Sequence, residues 1–416
     1  MPSRTDVTRT RGLGPAFRNL FAASLASNLG DGIARIALPL LAARLTDDAF
    51  LVALIAALAM LPWLFFAIPS GIVIDRIDRR VALAVAQAVR VALALLLIGL
   101  VVADALTIWW LYVVAFVYGV FETLYDGAAR AIPPSIVDRS RLPRANGRLE
   151  AGELVMQNFV SGPFTSALFA VSVLIPLGVN AAVFAVAGVL ALLLPAAASG
   201  RQHVHRDDAG VPWYRQLADG FRFLWADRML RTLWLVSSVG GIGSSLAMAS
   251  LVLFVLGPLG VAEEWFGVFM LSGAVGGIAG SLVADRCKRR WGTGPSSAWA
   301  MLLASLALVL VGAVPNVWTA AFGAALSSGA IVVWNVLVMS LRQAAIPGHL
   351  FGRVQGTWRT LLWGAMPLGS VLGGLVGRID LALPFLIGGG FSALITVIWF
   401  GFLRRLPNPE EVGTAD

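Results

Sequence analysis

The sequence predicts an all-α integral membrane protein whose twelve transmembrane helices form two pseudo-symmetric six-helix bundles. Three observations carry that expectation: the composition, the division of the apolar stretches into twelve spans, and charge motifs of the first half that recur in the second. Of the 416 residues, 58% are hydrophobic and only 13% charged, with a mean hydropathy of +0.82. A soluble domain carries about a quarter charged residues, so a soluble enzyme is all but excluded. One span takes roughly 20 apolar residues and twelve take about 240 to 300, which leaves short loops and tails.

Cut at charge clusters, the apolar stretches fall at 17–45, 50–74, 81–103, 107–133, 148–172, 177–198, 230–256, 262–284, 297–314, 317–345, 353–377 and 381–403. An even count places both termini on one side, and the positive-inside rule selects the side. With the amino terminus inside, the cytoplasmic segments collect 25 of the 31 basic residues, and Arg44 and Arg378 are the only basic candidates near the outer rims. Both termini are therefore expected in the cytoplasm. The net charge of +8 thus reports topology, and a nucleic-acid partner is discarded. Thirty of the 31 basic residues are arginine, as in GC-rich genomes, which suggests a bacterial inner membrane. The polar start MPSRTDVTRTRG does not read as a signal peptide, and the single Cys287 cannot form an intrachain disulfide.

The expected division is an amino-terminal bundle at 1–198, a cytoplasmic linker at 199–229 and a carboxy-terminal bundle with a short tail at 230–416. Within the linker, Trp213 to Trp225 alternates aromatic and leucine positions with Arg215, Asp219 and Arg222. That pattern suits an amphipathic helix on the membrane surface or a solvated linker helix. His203 and His205 lack a third ligand and make a poor metal site. The halves repeat each other: Asp75-Arg76-Ile77-Asp78-Arg79-Arg80 recurs as Asp285-Arg286-Cys287-Lys288-Arg289-Arg290, and Ala131-Ile132-Pro133 as Ala345-Ile346-Pro347. Duplicated six-helix halves suit a transporter whose site lies between two rocking bundles.

These residues resemble the major facilitator superfamily. Gly71 through Arg80 is similar to its signature G-x-x-x-D-R-x-x-R-R, with Asp78 where glycine is common. Ser27 to Asp31, Gly220 to Leu224 and Phe351 to Arg359 resemble the proton-antiporter branch containing the enterobactin exporter and macrolide efflux proteins. The resemblance implies the twelve-helix fold and efflux from the cytoplasm. Physically, Asp75 at a helix end faces the amino terminus of a neighbouring helix, while Arg76, Arg79 and Arg80 reach carboxylates or phosphates. Gly71, these four residues and the second copy, Asp285, Arg286, Arg289 and Arg290, are expected to form a cytoplasmic gate; a plain positive-inside anchor is the alternative.

Ionisable groups at bilayer depth are costly, so each is a functional candidate. The first half carries Asp31, Arg35, Arg90, Glu122, Asp126, Arg130, Glu150 and Glu153; the second has no carboxylate buried in a span, and its clearest intramembrane cation is Arg359. Glu122, Asp126 and Arg130 recur every four residues, on one helix face beside Tyr118, Phe121 and Tyr125. Two carboxylates a turn apart in low dielectric resist ionising together and titrate as a unit. Glu122, Asp126, Asp31 and Glu153 are thus the proton-coupling candidates, and Arg35, Arg130 and Arg359 their charge partners. Asp31 and Arg35 have the spacing of an intrahelical ion pair. At Pro163, hinge and packing are both open readings, and the Gly276-Gly277 and Gly280 cluster reads as a packing face.

Tyr118, Tyr125, Gln157, Trp334, Asn335 and Trp358 are the candidate cavity residues, an aromatic set suited to bulky amphipathic molecules. The acids favour cationic or neutral drugs; the arginines could meet an anionic siderophore. No cofactor or metal is expected, because no H-E-x-x-H or Walker pattern occurs. The leading expectation is a monomeric, proton-coupled exporter of small molecules and not an enzyme. A siderophore exporter, a metabolite importer and a non-transporting receptor are the alternatives.

Overall fold

The computed structural model describes residues 13–66, 69–70, 73–74, 77–199 and 213–412. Gly71, Asp75 and Arg76 of the signature, and His203 and His205 of the linker, lie outside the described residues. Twelve long helices follow one another: α1 Pro15–Leu45, α2 Ala49–Phe65, α3 Arg79–Val102, α4 Ile108–Ala131, α5 Leu142–Val171 and α6 Leu174–Leu192, then α7 Arg228–Met248, α8 Glu263–Trp291, α9 Thr293–Ala313, α10 Val317–Ala345, α11 Gly348–Gly377 and α12 Leu383–Leu403. Among the described residues, nine helices are long and apolar enough to cross a membrane. The others have local reasons to fall short: α1 carries Asn28, Asp31 and Arg35, α2 is only 17 residues, and α7 is rich in Ser and Gly before it breaks at Ala249–Ser250 and resumes as Leu251–Leu256.

Polar side chains fix the helix starts. Asp48, Asp78, Asp227 and Asn316 accept from the first-turn amides of α2, α3, α7 and α10, satisfying donors that the helix itself leaves unpaired. The internal repeat is visible in the helix ends: α4 stops at Ala131 and α10 at Ala345, each on the alanine of its Ala-Ile-Pro. The second D-R-x-x-R-R departs from its expected position. Instead of following a span that ends at 284, it is the last part of α8, which is helical to Trp291. Gly292 then turns the chain with φ +83°, a conformation costly for any residue with a Cβ.

The linker helix spans Trp213–Ala226. It docks on α11 and the start of α7, with Leu224 fully buried beside Leu230, Leu233, Leu341 and Trp358. Within the amino-terminal bundle α3 packs on α6 and α4; within the other, α8 and α9 pack on α10. The glycines of α8 act as the packing face expected of them: Gly276 lies on the backbone of Ala325 and Gly280 on that of Gly329. Between bundles, α2 packs on α11 and α5 on α8. The face where α1 begins is called the near face below, and the opposite one the far face.

Candidate functional site

Beneath the crevice between the bundles lies a charged cluster that binds α1, α3 and α4 together. Arg90 of α3 is completely buried, with Nη1 3.1 Å from Asp31 Oδ1. Tyr118 Oη donates to the same carboxylate oxygen at 2.6 Å. Arg90 Nη1 and Gln87 Nε2 also donate to Ser27 Oγ, at 3.3 and 2.8 Å. Tyr118, Tyr125 and Phe184 surround the guanidinium with ring centroids 5.0, 5.1 and 5.3 Å away. The expected Asp31–Arg35 pair is not formed: Asp31 turns to α3, and Arg35 Nη2 donates instead to Gln157 Oε1 at 3.1 Å. Helical spacing brought the two side chains near one another, but a fully buried cation binds a carboxylate more strongly than one at the crevice can. Tyr118 and Tyr125, expected in the cavity wall, are buried at 8% and 7% exposure against this cluster.

Gln157 belongs to a wide turn. Val155–Val160 is a π-helical segment inside α5, directly before Ser161-Gly162-Pro163. Proline lacks the N–H that would bond back to the preceding turn and its ring crowds that turn's carbonyl, so the local widening relieves the strain; such bulges are common at functional sites. From this segment Gln157 Nε2 donates to Asn28 Oδ1 at 2.7 Å, tying α5 to α1.

The acidic stripe of α4 opens into the crevice. Arg130 Nε lies 3.0 Å from both Asp126 oxygens, and its Nη2 is 4.0 Å from Glu153 on α5. From the other bundle, Arg359 of α11 brings Nη2 to 3.9 Å from Asp126 Oδ2. Trp63 of α2 and Trp363 of α11 flank that guanidinium, with ring centroids 5.7 and 5.0 Å away. Asp126 is thus the one member of the stripe with cations from both bundles, among the described residues. Glu122, one turn along, is partly exposed and feels the charges of Asp31, Arg90, Arg35 and Asp126.

A cavity of about 550 Å³ lies in the carboxy-terminal bundle, and Trp334, Asn335, Trp358 and Arg359 line it. So does Arg342, which lies at the end of the span expected at 317–345 and was counted only among the cytoplasmic basic residues. Here Arg342 is only 8% exposed, one turn inside α10 with its guanidinium 4.2 Å over the Trp358 ring. The sequence signal was its position three residues after Met339 and eight after Trp334, on the same helix face.

Of the residues expected at a cytoplasmic gate, the described ones sit at the near face, and Arg79, Arg80, Asp285 and Arg289 bond within their own bundles. Arg79 Nη1 donates to Ala131 O at 2.8 Å and Arg80 Nη1 to Leu194 O at 3.0 Å, the last carbonyls of α4 and those just past α6, where a cation also meets the negative helix end. Asp78 chelates Arg80. In the second copy Asp285 pairs with Arg289 one turn on, and Arg286 and Arg290 are exposed.

Two forked ion pairs join the bundles at the far face. Arg44 Nη2 meets Glu263 Oε2 at 2.6 Å, and Arg378 binds Asp48 through Nε at 2.8 Å and Nη2 at 2.6 Å. These are the two rim arginines that stood apart in the sequence. The bond from Arg378 is the main reason the Asp48 carboxyl is held below its ordinary value of 3.8. A lowered pKa means that the pair contributes above 3.8 and is lost only as pH falls through the depressed value. The contribution of this pair to far-face closure, read as the difference in label accessibility at a loop cysteine between the wild type and an uncharged variant, is therefore expected to be flat from about pH 5 to 8. Asp48→Asn keeps the helix cap but not the charge; roughly two- to fivefold higher accessibility is expected. A difference between the two that varies over that pH range, or an unchanged variant, contradicts this.

Twelve helices in two bundles, with charged groups in the crevice between them, define a membrane transporter of the major facilitator fold, which acts on small molecules. A family model described as transmembrane secretion effector matches residues 13–415, and the chain belongs to that family. It is 28% identical over 429 residues to the multidrug efflux pump Tap of Mycobacterium tuberculosis, covering 98% of this chain and 97% of that protein. It is 25% identical over 415 residues to the enterobactin exporter EntS of Salmonella choleraesuis, covering 96% of each. Among solved structures, a bacterial homologue of the iron transporter ferroportin, in its inward-facing state, superposes with a TM-score of 0.73 at 16% identity, covering 95% of this chain and 100% of that one. The nucleoside transporter NupG superposes with a TM-score of 0.70 at 14% identity, covering 94% and 100%.

Proposed function

We propose that the chain exports amphipathic small molecules from the bacterial cytoplasm in exchange for protons, by alternating access and as a monomer. In this reading the near face, with its excess of arginine, is cytoplasmic and holds both termini. Residues 1–198 and 230–416 rock about the crevice, joined by the linker 199–229. The two ion pairs at the far face make the present conformation open toward the cytoplasm. The names of the relatives, a multidrug efflux pump and an enterobactin exporter, support outward transport of drug-like cargo. The chain is read as a carrier and not as an enzyme.

The observation that carries the coupling is Asp126, placed between Arg130 of its own helix and Arg359 of the other bundle. Neutralising Asp126 removes an attraction that spans the crevice, so protonation on the stripe alters the balance between the two conformations. Asp31 is already compensated by Arg90, which leaves Glu122 as the proton carrier, with Asp126 and Glu153 relaying to it. Export from inside-out vesicles under an imposed pH gradient tests this. Glu122→Gln is expected to lose at least tenfold of the gradient-driven rate while retaining downhill exchange. General acid–base contributions of about 10²–10⁴ set the scale. Gradient-driven transport that survives Glu122→Gln sinks the assignment.

A further inference from the structure

We infer that the cavity of the carboxy-terminal bundle is a binding site for the carboxylate, or a like anionic group, of an aromatic cargo, with Arg342 as its counter-charge. This rests on the export reading for the word cargo, and on the structure for the site.

Arg342 is a buried cation without an anion. Among the described residues its Nε and Nη1 have no hydrogen-bond partner, and Nη2 reaches only the thioether of Met339, at 3.1 Å, a weak acceptor. Across from it Gln355 is in the same condition: Nε2 has only Met339 Sδ, at 3.8 Å, and Oε1 has no partner. A buried guanidinium without a counter-charge is costly, and among the described residues this bundle offsets it only with the ring of Trp358. The contrast with Arg90 is instructive. That arginine, more deeply buried and likewise with two nitrogens unpaired among the described residues, has Asp31 as its counter-charge, with Ser27 and three aromatic rings; Arg342 has one ring and an open cavity.

The cavity supplies the remaining recognition. Trp358 stacks beneath the guanidinium at 4.2 Å and, with Trp334, is almost completely buried, so the apolar side of the site is aromatic. Arg359 lies on the same wall, while no carboxylate lines it. Two cations, two amides and indole surfaces in about 550 Å³ match an amphipathic aromatic anion better than a cation, which would meet only positive charge on this side of the crevice. The acids of α4 and the arginines of α10 and α11 thus divide the work: protons on the first bundle, the cargo's negative group on the second.

The test is equilibrium binding by calorimetry to the full-length protein in phosphatidylcholine nanodiscs, with 2-naphthoate and its neutral amide as probes. The wild type is expected to bind the carboxylate at least tenfold more tightly than the amide, a comparison that needs no variant to fold. Arg342→Gln should abolish that preference and leave the amide within twofold, and Arg342→Lys should keep part of it, since lysine retains the charge but not the fork. Equal affinity of the wild type for both probes overturns the proposal, as does a preference that persists in Arg342→Gln. Two other sources of negative charge are distinguished by added arms. If sulfate displaces naphthoate with equal affinity, the site is for inorganic anions; if replacing phosphatidylcholine with phosphatidylglycerol removes naphthoate binding in an Arg342-dependent way, it is for lipid headgroups. Either result overturns the cargo assignment. The vesicle export assay is independent: its failure would sink the export reading and leave the binding preference standing.

Discussion

Arg90→Met is expected to be the most destabilising substitution in the amino-terminal bundle. It leaves the Asp31 carboxylate, 7% exposed, with Tyr118 as its remaining close donor. Removing one member of a buried pair costs about 3–5 kcal/mol, because the other charge stays behind without water or a counter-ion. Asp31→Asn should cost less than Arg90→Met does, since the amide still accepts from Tyr118 and leaves the cation three aromatic faces. The double variant Asp31→Leu with Arg90→Met should recover most of the loss, a non-additivity that marks direct coupling. Thermal melting of the wild type and these three variants, purified in detergent, measures the differences. A single Arg90→Met within about 1 kcal/mol of wild type would mean that the pair is not a buried ion pair at all. Recovery of both stability and pH-driven export in the double variant would separate the cluster's structural role from the coupling on α4.

Much of this layout could be read from periodicity, and the places where it could not share one cause. Twelve spans, the Ala-Ile-Pro helix ends and the α4 stripe are all properties of a single segment: apolar length, a helix-stopping proline, an i,i+4 spacing. The pairing of Asp31 with Arg90 is not, because it depends on how α1 and α3 are set side by side. Spacing pointed to Arg35, the nearer residue in sequence. Arg342 was missed for the opposite reason: one turn from a helix end, it satisfied the charge rule for a cytoplasmic flank, and only the packing of α11 over it places Trp358 on its guanidinium. Of the expected cavity set, Trp334, Asn335 and Trp358 line the cavity of the carboxy-terminal bundle, whereas Tyr118 and Tyr125 are turned onto Arg90. Aromatic residues on a membrane helix announce burial against something; which helix they face is decided by tertiary structure.

Gly267→Val is expected to shift the conformational balance more than any other single change. Gly267 begins the contact of α8 with α5: its amide donates to Ser166 Oγ at 2.8 Å, and a Cβ placed there would fall on the backbone carbonyl of Gly162. A carbonyl inside a helix cannot rotate away, so the helices must part. Because α5 and α8 belong to different bundles, parting them opens the far face that Arg44–Glu263 and Asp48–Arg378 hold shut. Overpacking costs about 1–3 kcal/mol, enough for roughly a tenfold or larger shift in population if it falls on one conformation alone. Gly276→Val is the control. It collides equally with backbone, at Ala325, but α8 and α10 share a bundle, so the strain is present in both conformations and should lower stability without moving the equilibrium. Spin-label distances across the far face should lengthen in the first variant and not in the second. If the two behave alike, the α5–α8 contact is a static weld and the bundles do not rock about it.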